Sequence, residues 1–204
     1  MRTRSRALTL GLLAVLAGCG RPADLAPVAP PPAAPAGDLT AEQSAQGYHI
    51  QQLGGPRWRD YLLRRRIALA VESAVFTMVN QERANAGLAP LTHATALRNV
   101  ARLHSIDMAA KSYFAHNAPD GKTPANRLTD ANIAFSAWAE NIRWVSAPRT
   151  NAANDIMYEA GTGWMNSPGH RANILNPNLT QVGVGVYLNP ARTRYYATQV
   201  FIRP

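Results

Sequence analysis

The last 25 residues constrain the fold most, because the period of the apolar residues changes there. Gln181-Val182-Gly183-Val184-Gly185-Val186-Tyr187-Leu188 reads as a strand whose glycines let another backbone come close, and Asn189-Pro190 turns it toward a second strand around Tyr195 to Ile202. A further strand is expected through Ala139 to Val145. Upstream the spacing is helical. After Gly54-Gly55-Pro56, the residues Trp58, Tyr61, Leu62, Ile67, Val71, Val75, Met78 and Val79 mark one buried helix face, and Gly87 suits a left-handed stop. A second helix is expected from Thr92 as N-cap, presenting Leu97, Val100, Ala101, His104 and Met108. A loop from Ser112 to Thr123 follows. The spacing then predicts a third helix over Asn151 to Trp164, with Ala153, Ile156, Met157, Ala160 and Trp164 inward and with Gly161 and Gly163 weakening its end. Helices first and a hairpin last predict an α+β layer fold, a small antiparallel sheet covered by helices.

The front of the chain does not contribute to that core. MRTRSR followed by ALTLGLLAVLAG is a cationic segment and a short apolar run of secretory-leader length, too short to span a bilayer comfortably. Leu16-Ala17-Gly18-Cys19 resembles the lipobox of bacterial lipoproteins, which implies cleavage before Cys19, a diacylglyceryl group on its thiol and a mature protein carrying several acyl chains, enough for stable anchoring. Gly20, where an inner-membrane-retaining aspartate would stand, implies sorting to the outer membrane in a host that has one. Residues 21–37, RPADLAPVAPPPAAPAG, read as a linker, and at about 3.1 Å per residue in polyproline geometry they reach on the order of 50 Å. A weak helical pattern over Leu39 to Gly54 precedes the Gly-Gly-Pro break.

Composition excludes several classes. Cys19 is the one cysteine of 204 residues, so there is no internal disulfide and no Cys-rich zinc site. The net charge of +9 falls to +6 without Arg2, Arg4 and Arg6 (18 cations minus 12 acids), and residues 67–204 hold 12 cations against 8 acids with no dense basic run. A nucleic-acid partner is not expected. The denser stretch Arg57, Arg59, Arg64, Arg65 and Arg66 is either a solvated helix face or a surface for anionic lipid or wall polymer.

Chemistry is carried by few residues. His104 sits on an apolar helix face and reads as a satisfied core histidine, and His49 and His93 have no partners in view. His116 and His170 lie beside turn residues, in Tyr113-Phe114-Ala115-His116 and Ser167-Pro168-Gly169-His170-Arg171, where a side chain can project into a cleft. Ser167 reads as an N-cap ahead of Pro168 rather than as a nucleophile. Tyr113, Phe114 and Trp164 read as core, while Trp138 and Trp144 fit either core or ligand platform.

These strings, with Asn80-Gln81-Glu82-Arg83, Gly87-Leu88, Asp107-Met108, Pro119-Asp120-Gly121, Ala139-Glu140-Asn141-Ile142 and Gly183-Val184-Gly185-Val186, occur in an order that resembles the CAP superfamily in its bacterial SCP-like form. The resemblance implies a three-layer α-β-α sandwich over residues 67–204, after a leader at 1–18, a lipidated Cys19 and linker to residue 38, and an Arg-rich helical lead-in at 39–66. It also implies a cleft lined by His116, Glu140 and His170. An acid that many eukaryotic members place three residues after the helical tryptophan falls on Ser167 here, which leaves two imidazoles and one carboxylate as a candidate zinc set with an open fourth position. Two functions are open: a membrane-tethered envelope module binding a lipid, wall fragment or protein ligand, or a metal-assisted hydrolase of peptide or peptidoglycan. The chain contains neither a G-x-S-x-G nor an H-E-x-x-H string, which favours binding.

Overall fold

The computed structural model describes residues 56–204. The leader, Cys19, the Pro/Ala stretch and the 39–54 pattern lie outside the described residues. In chain order the elements are α1 (Pro56–Asn85), β1 (Thr92–His93), α2 (Thr95–Ala110), α3 (Pro124–Asp130), β2 (Ala137–Ser146), α4 (Ala152–Tyr158), a 3-10 turn (Trp164–Asn166), α5 (Pro168–Ile174), β3 (Gln181–Leu188) and β4 (Arg194–Arg203). One sheet runs β1-β3-β4-β2, with β2, β4 and β3 antiparallel and β1 parallel to β3. α1, α4 and α5 cover one face around Val75, Val79, Ile156, Met157, Trp164, Val184 and Phe201, while α2 and α3 cover the other around Leu97, Ala101, Leu128 and Val200. This is the expected three-layer α-β-α sandwich, its antiparallel sheet extended by one short parallel strand.

Strand periodicity decides which layer each residue meets. On β3, Val182, Val184 and Val186 face α1, and Gly183 and Gly185 face α2. A Cβ at Gly185 would sit 2.1 Å from the Arg102 backbone nitrogen, and one at Gly183 as close to that of Arg98, so helix and strand pack backbone to backbone. Beyond Val182 the outer edge of β3 has no strand partner among the described residues. Side chains of α1 take its polar groups instead: Glu72 accepts from the Val186 N–H at 2.9 Å and Arg64 donates to the Leu188 carbonyl at 3.0 Å. A covered edge of this kind does not template pairing with another chain.

The Asn80-Gln81-Glu82-Arg83 string is a structural clamp. Asn80 bonds both backbone groups of Leu91, and the buried Arg83 guanidinium donates to the carbonyls of Ala89, Ile174 and Asn176. α1 ends as expected, with Gly87 at φ +69 and the Leu88 N–H returning to Arg83.

Three expectations are corrected. Thr92 is not an N-cap: it pairs with Gln181 in β1, its N–H bonding the Thr180 carbonyl, and α2 begins at Thr95 behind Ala94, which makes no side-chain cap bond. The helix expected over Asn151–Trp164 stops at Tyr158. Gly161, at φ +72, reverses the chain, Ala160 is exposed, and Trp164 reaches the core from a separate turn. α1 runs unbroken from Pro56 through residue 67, as the continuous helical spacing led one to expect. Leu62, expected on the buried face, is instead exposed beside Leu63.

Candidate functional site

β2 is an edge strand, so residues from both helical layers can meet around it. Glu140 lies on its α2 side, opposite Val200 of β4, and its side chain is 1% exposed. Both carboxylate oxygens are engaged. His116, from the loop after α2, places Nδ1 2.9 Å from Oε1, and Arg127 of α3 donates to Oε2 at 2.7 Å. An ionised carboxylate only accepts, so His116 carries a proton on Nδ1 and turns Nε2 outward. The imidazole is 49% exposed. Arg127 also donates to the His116 carbonyl at 3.0 Å and so ties the loop down at two points.

His170 arrives from the opposite layer, in the first turn of α5. Asn141, the β2 neighbour of Glu140, donates to the His170 carbonyl at 3.2 Å and to Gln199 at 3.1 Å, and Asn173 donates to the Asn141 side-chain oxygen at 2.8 Å. The His170 ring is half-buried, with Nδ1 shut off from solvent and without a hydrogen-bond partner. Burial, the neighbouring His116 and the cation of Arg143 hold its pKa below the ordinary histidine value, which keeps the ring neutral. Ser167 precedes Pro168 as the N-cap of α5, but its side chain makes no cap hydrogen bond.

His104 is the core histidine expected from its position. It is buried, its Nε2 donates to the Ala115 carbonyl at 3.1 Å, and burial pushes its pKa down to about 4. Its Nε2 also lies 4.0 Å from Glu140, and Tyr113, bonded to Asp107 at 2.7 Å, is 3.4 Å from its Nδ1. Sequence reading did not find this supporting shell. Arg127 carried no local signal, and Asn141 and Asn173 show their roles only once β2 and α5 are side by side. Trp164 is fully buried and donates to the Ile142 carbonyl at 3.3 Å, whereas Phe114, expected in the core, is exposed, as are Trp138 and Trp144.

The residues do not fit a three-ligand zinc centre. Glu140 is taken up by Arg127 and His116, and among the described residues no group of three or more His, Cys, Asp or Glu side chains could hold a metal ion. Two imidazoles are one protein ligand short of a catalytic zinc site. Beside the network a groove of about 690 Å³ opens between α2, the 118–122 loop and α3. Val100, Leu103 and Ile106 supply apolar wall, the ion pairs Lys111–Asp107 and Lys122–Asp130 supply polar rim, and His104 and Arg127 join the groove to the Glu140 network.

Comparison with known proteins agrees with this architecture. The chain is 38% identical over 116 residues to the uncharacterized protein YkwD of Bacillus subtilis and 33% identical over 141 residues to the uncharacterized membrane protein YlbC of the same organism. These alignments span 57% and 68% of this chain but only 42% and 36% of the two relatives, so the chain matches well under half the length of either. An extracellular protein containing an SCP domain from Bacillus anthracis superposes with a TM-score of 0.59 at 31% identity, covering 69% of this chain and 43% of that one. An outer surface protein of Borrelia burgdorferi shares the fold at 18% identity, with a TM-score of 0.54 over 64% of this chain and 90% of its own. The model of the CAP family, the cysteine-rich secretory protein family, matches residues 76–201, and the chain belongs to that family.

Proposed function

We propose that this protein is an envelope-held binding module, anchored through an acylated Cys19, whose cleft at the β2 edge takes a polar group of a lipid or wall-fragment ligand on His116 and His170. The observation that carries this reading is the state of Glu140. Direct acid-base work by Glu140 itself would need a carboxylate free to exchange a proton with substrate. Glu140 is buried with one oxygen on Arg127 and the other on His116, so it orients that imidazole and does no acid-base work of its own, and the chain offers the imidazole neither a G-x-S-x-G nucleophile nor an H-E-x-x-H metal set. The two rings then act as hydrogen-bond acceptors or donors toward a bound group, and the adjoining groove offers apolar wall to an aliphatic portion. The extracellular SCP-domain relative supports an exported location.

Native mass spectrometry of the protein purified from its own membrane fraction tests both halves of the reading. The expected result is an intact mass with acyl chains on Cys19 and a retained organic ligand that disappears in the His116→Ala/His170→Ala double variant. Stoichiometric zinc lost in that variant, or histidine-dependent cleavage of peptidoglycan or peptide by the purified protein, would overturn the binding reading in favour of a hydrolase.

A further inference from the structure

The first turns of α1 carry a surface that the cleft does not use. Arg59, Leu62, Leu63 and Arg66 stand at i, i+3, i+4 and i+7 and therefore share one helix face, which points away from the sheet: Leu62 is 38% and Leu63 45% exposed, and both arginines are exposed. The opposite face of the same turns is the packed one, with Arg64 bonded to the Leu188 carbonyl and Ala68 and Val71 in the core. Residues 56–71 contain one acid, Asp60, and it is engaged by Arg64 at 2.7 Å and by Arg192 of the β3–β4 turn at 3.0 Å. The exposed stripe thus consists of two adjacent leucines bracketed by two cations, with the local carboxylate already neutralised.

We infer that this face of α1 is a membrane-contact site for an anionic bilayer surface, with Leu62 and Leu63 entering the headgroup region and Arg59 and Arg66 meeting lipid phosphates. Charge complementarity favours that occupant over the others. A soluble polyanion such as a wall polymer would satisfy the arginines but gives two leucines nothing to bury against. A second copy of the chain meeting this face symmetrically would bring arginine stripes together. A bilayer supplies both chemistries at once, as interfacial helices use it. The inference concerns a surface distinct from the cleft and does not depend on what the cleft binds.

The test uses the full chain carrying Cys19→Ser, so that a single environment-sensitive fluorophore can be placed by Leu63→Cys or, as a control in the opposite layer, by Thr129→Cys. Quenching by brominated lipid is read in phosphatidylcholine vesicles with and without phosphatidylglycerol. The expected result is quenching at position 63 but not at 129, dependent on the anionic lipid, and reduced about tenfold or more by Arg59→Glu/Arg66→Glu. Leu62→Ser, which leaves the charge alone, is expected to reduce it as well. Equal quenching at both positions, or quenching at 63 indifferent to these changes, would mean that the leader alone holds the protein and would overturn the inference. So would shielding of position 63 that rises with protein concentration in the absence of vesicles, which would assign the face to a second copy.

Discussion

At the scale of residues, the site rests on one buried carboxylate and the three side chains that surround it. Glu140 is worth little as an isolated charge in the interior, since desolvation opposes it, but it has Arg127 on one oxygen and His116 on the other. His104, packed against the same carboxylate, pays for its position in proton affinity: burial outweighs the pull of Glu140 and sets its pKa at about 4. The unfolded chain, with a histidine near 6.5, binds a proton that the folded chain refuses between about pH 4 and 6.5. Stability therefore rises with pH across that window, by an amount on the order of 3 kcal/mol at its top, and is lost as the pH falls through it. His104→Gln is expected to flatten this slope in urea unfolding measured at intervals from pH 4 to 7. His170, whose pKa is also lowered, would leave a smaller slope of the same sign. An unchanged slope in the variant would show that His104 is not the group responsible.

At the scale of elements, close approach of α2 to β3 sets the separation of the two layers. Gly185 has no room for a side chain, because its Cβ would lie 2.1 Å from the Arg102 backbone nitrogen and 2.4 Å from the Ala101 carbonyl carbon. Backbone cannot step aside as a flexible side chain can, so Gly185→Ala is expected to cost about 3 kcal/mol or more in thermal or urea unfolding. Gly169, in α5, would meet nothing within 4 Å, and Gly169→Ala is expected to be neutral or slightly stabilising because alanine favours the helix. Comparable losses at both glycines would refute the steric account. The Val-Gly alternation was readable as a strand with room for a neighbour. Which helix filled that room was not, since α2 lies far upstream in the chain.

At the scale of the whole molecule, α1 joins the domain to whatever precedes it. Its first turns are part of the fold: Arg64 closes the exposed edge of β3, and Asp60 ties the helix to Arg192 in the hairpin turn. A chain beginning at residue 56 is expected to unfold in one cooperative transition, while one beginning at residue 67 loses Arg64 and leaves the Leu188 carbonyl unpaired, at a cost of about 1–3 kcal/mol. Calorimetry of the two chains decides this, and equal midpoints would mean that residues 56–66 are peripheral.

What the sequence determined by itself is local. The i, i+4, i+8 run of Val71, Val75 and Val79, the stop at Gly87, the terminal hairpin and the placing of His116 and His170 beside turn residues each depend on residues near one another in the chain, where apolar period and turn chemistry report burial directly, whereas Glu140 was singled out by the family resemblance alone. Tertiary structure decided the rest, because the deciding partners are remote. Thr92 became a strand residue through Gln181, and Leu62 was left outside because its face of α1 points away from the sheet. Glu140 acquired its role from Arg127 and His104, which approach it only when α3 and α2 pack on the same face of β2. A carboxylate in a sequence can be ligand, base or anchor, and the cation placed against it by the fold makes this one an anchor.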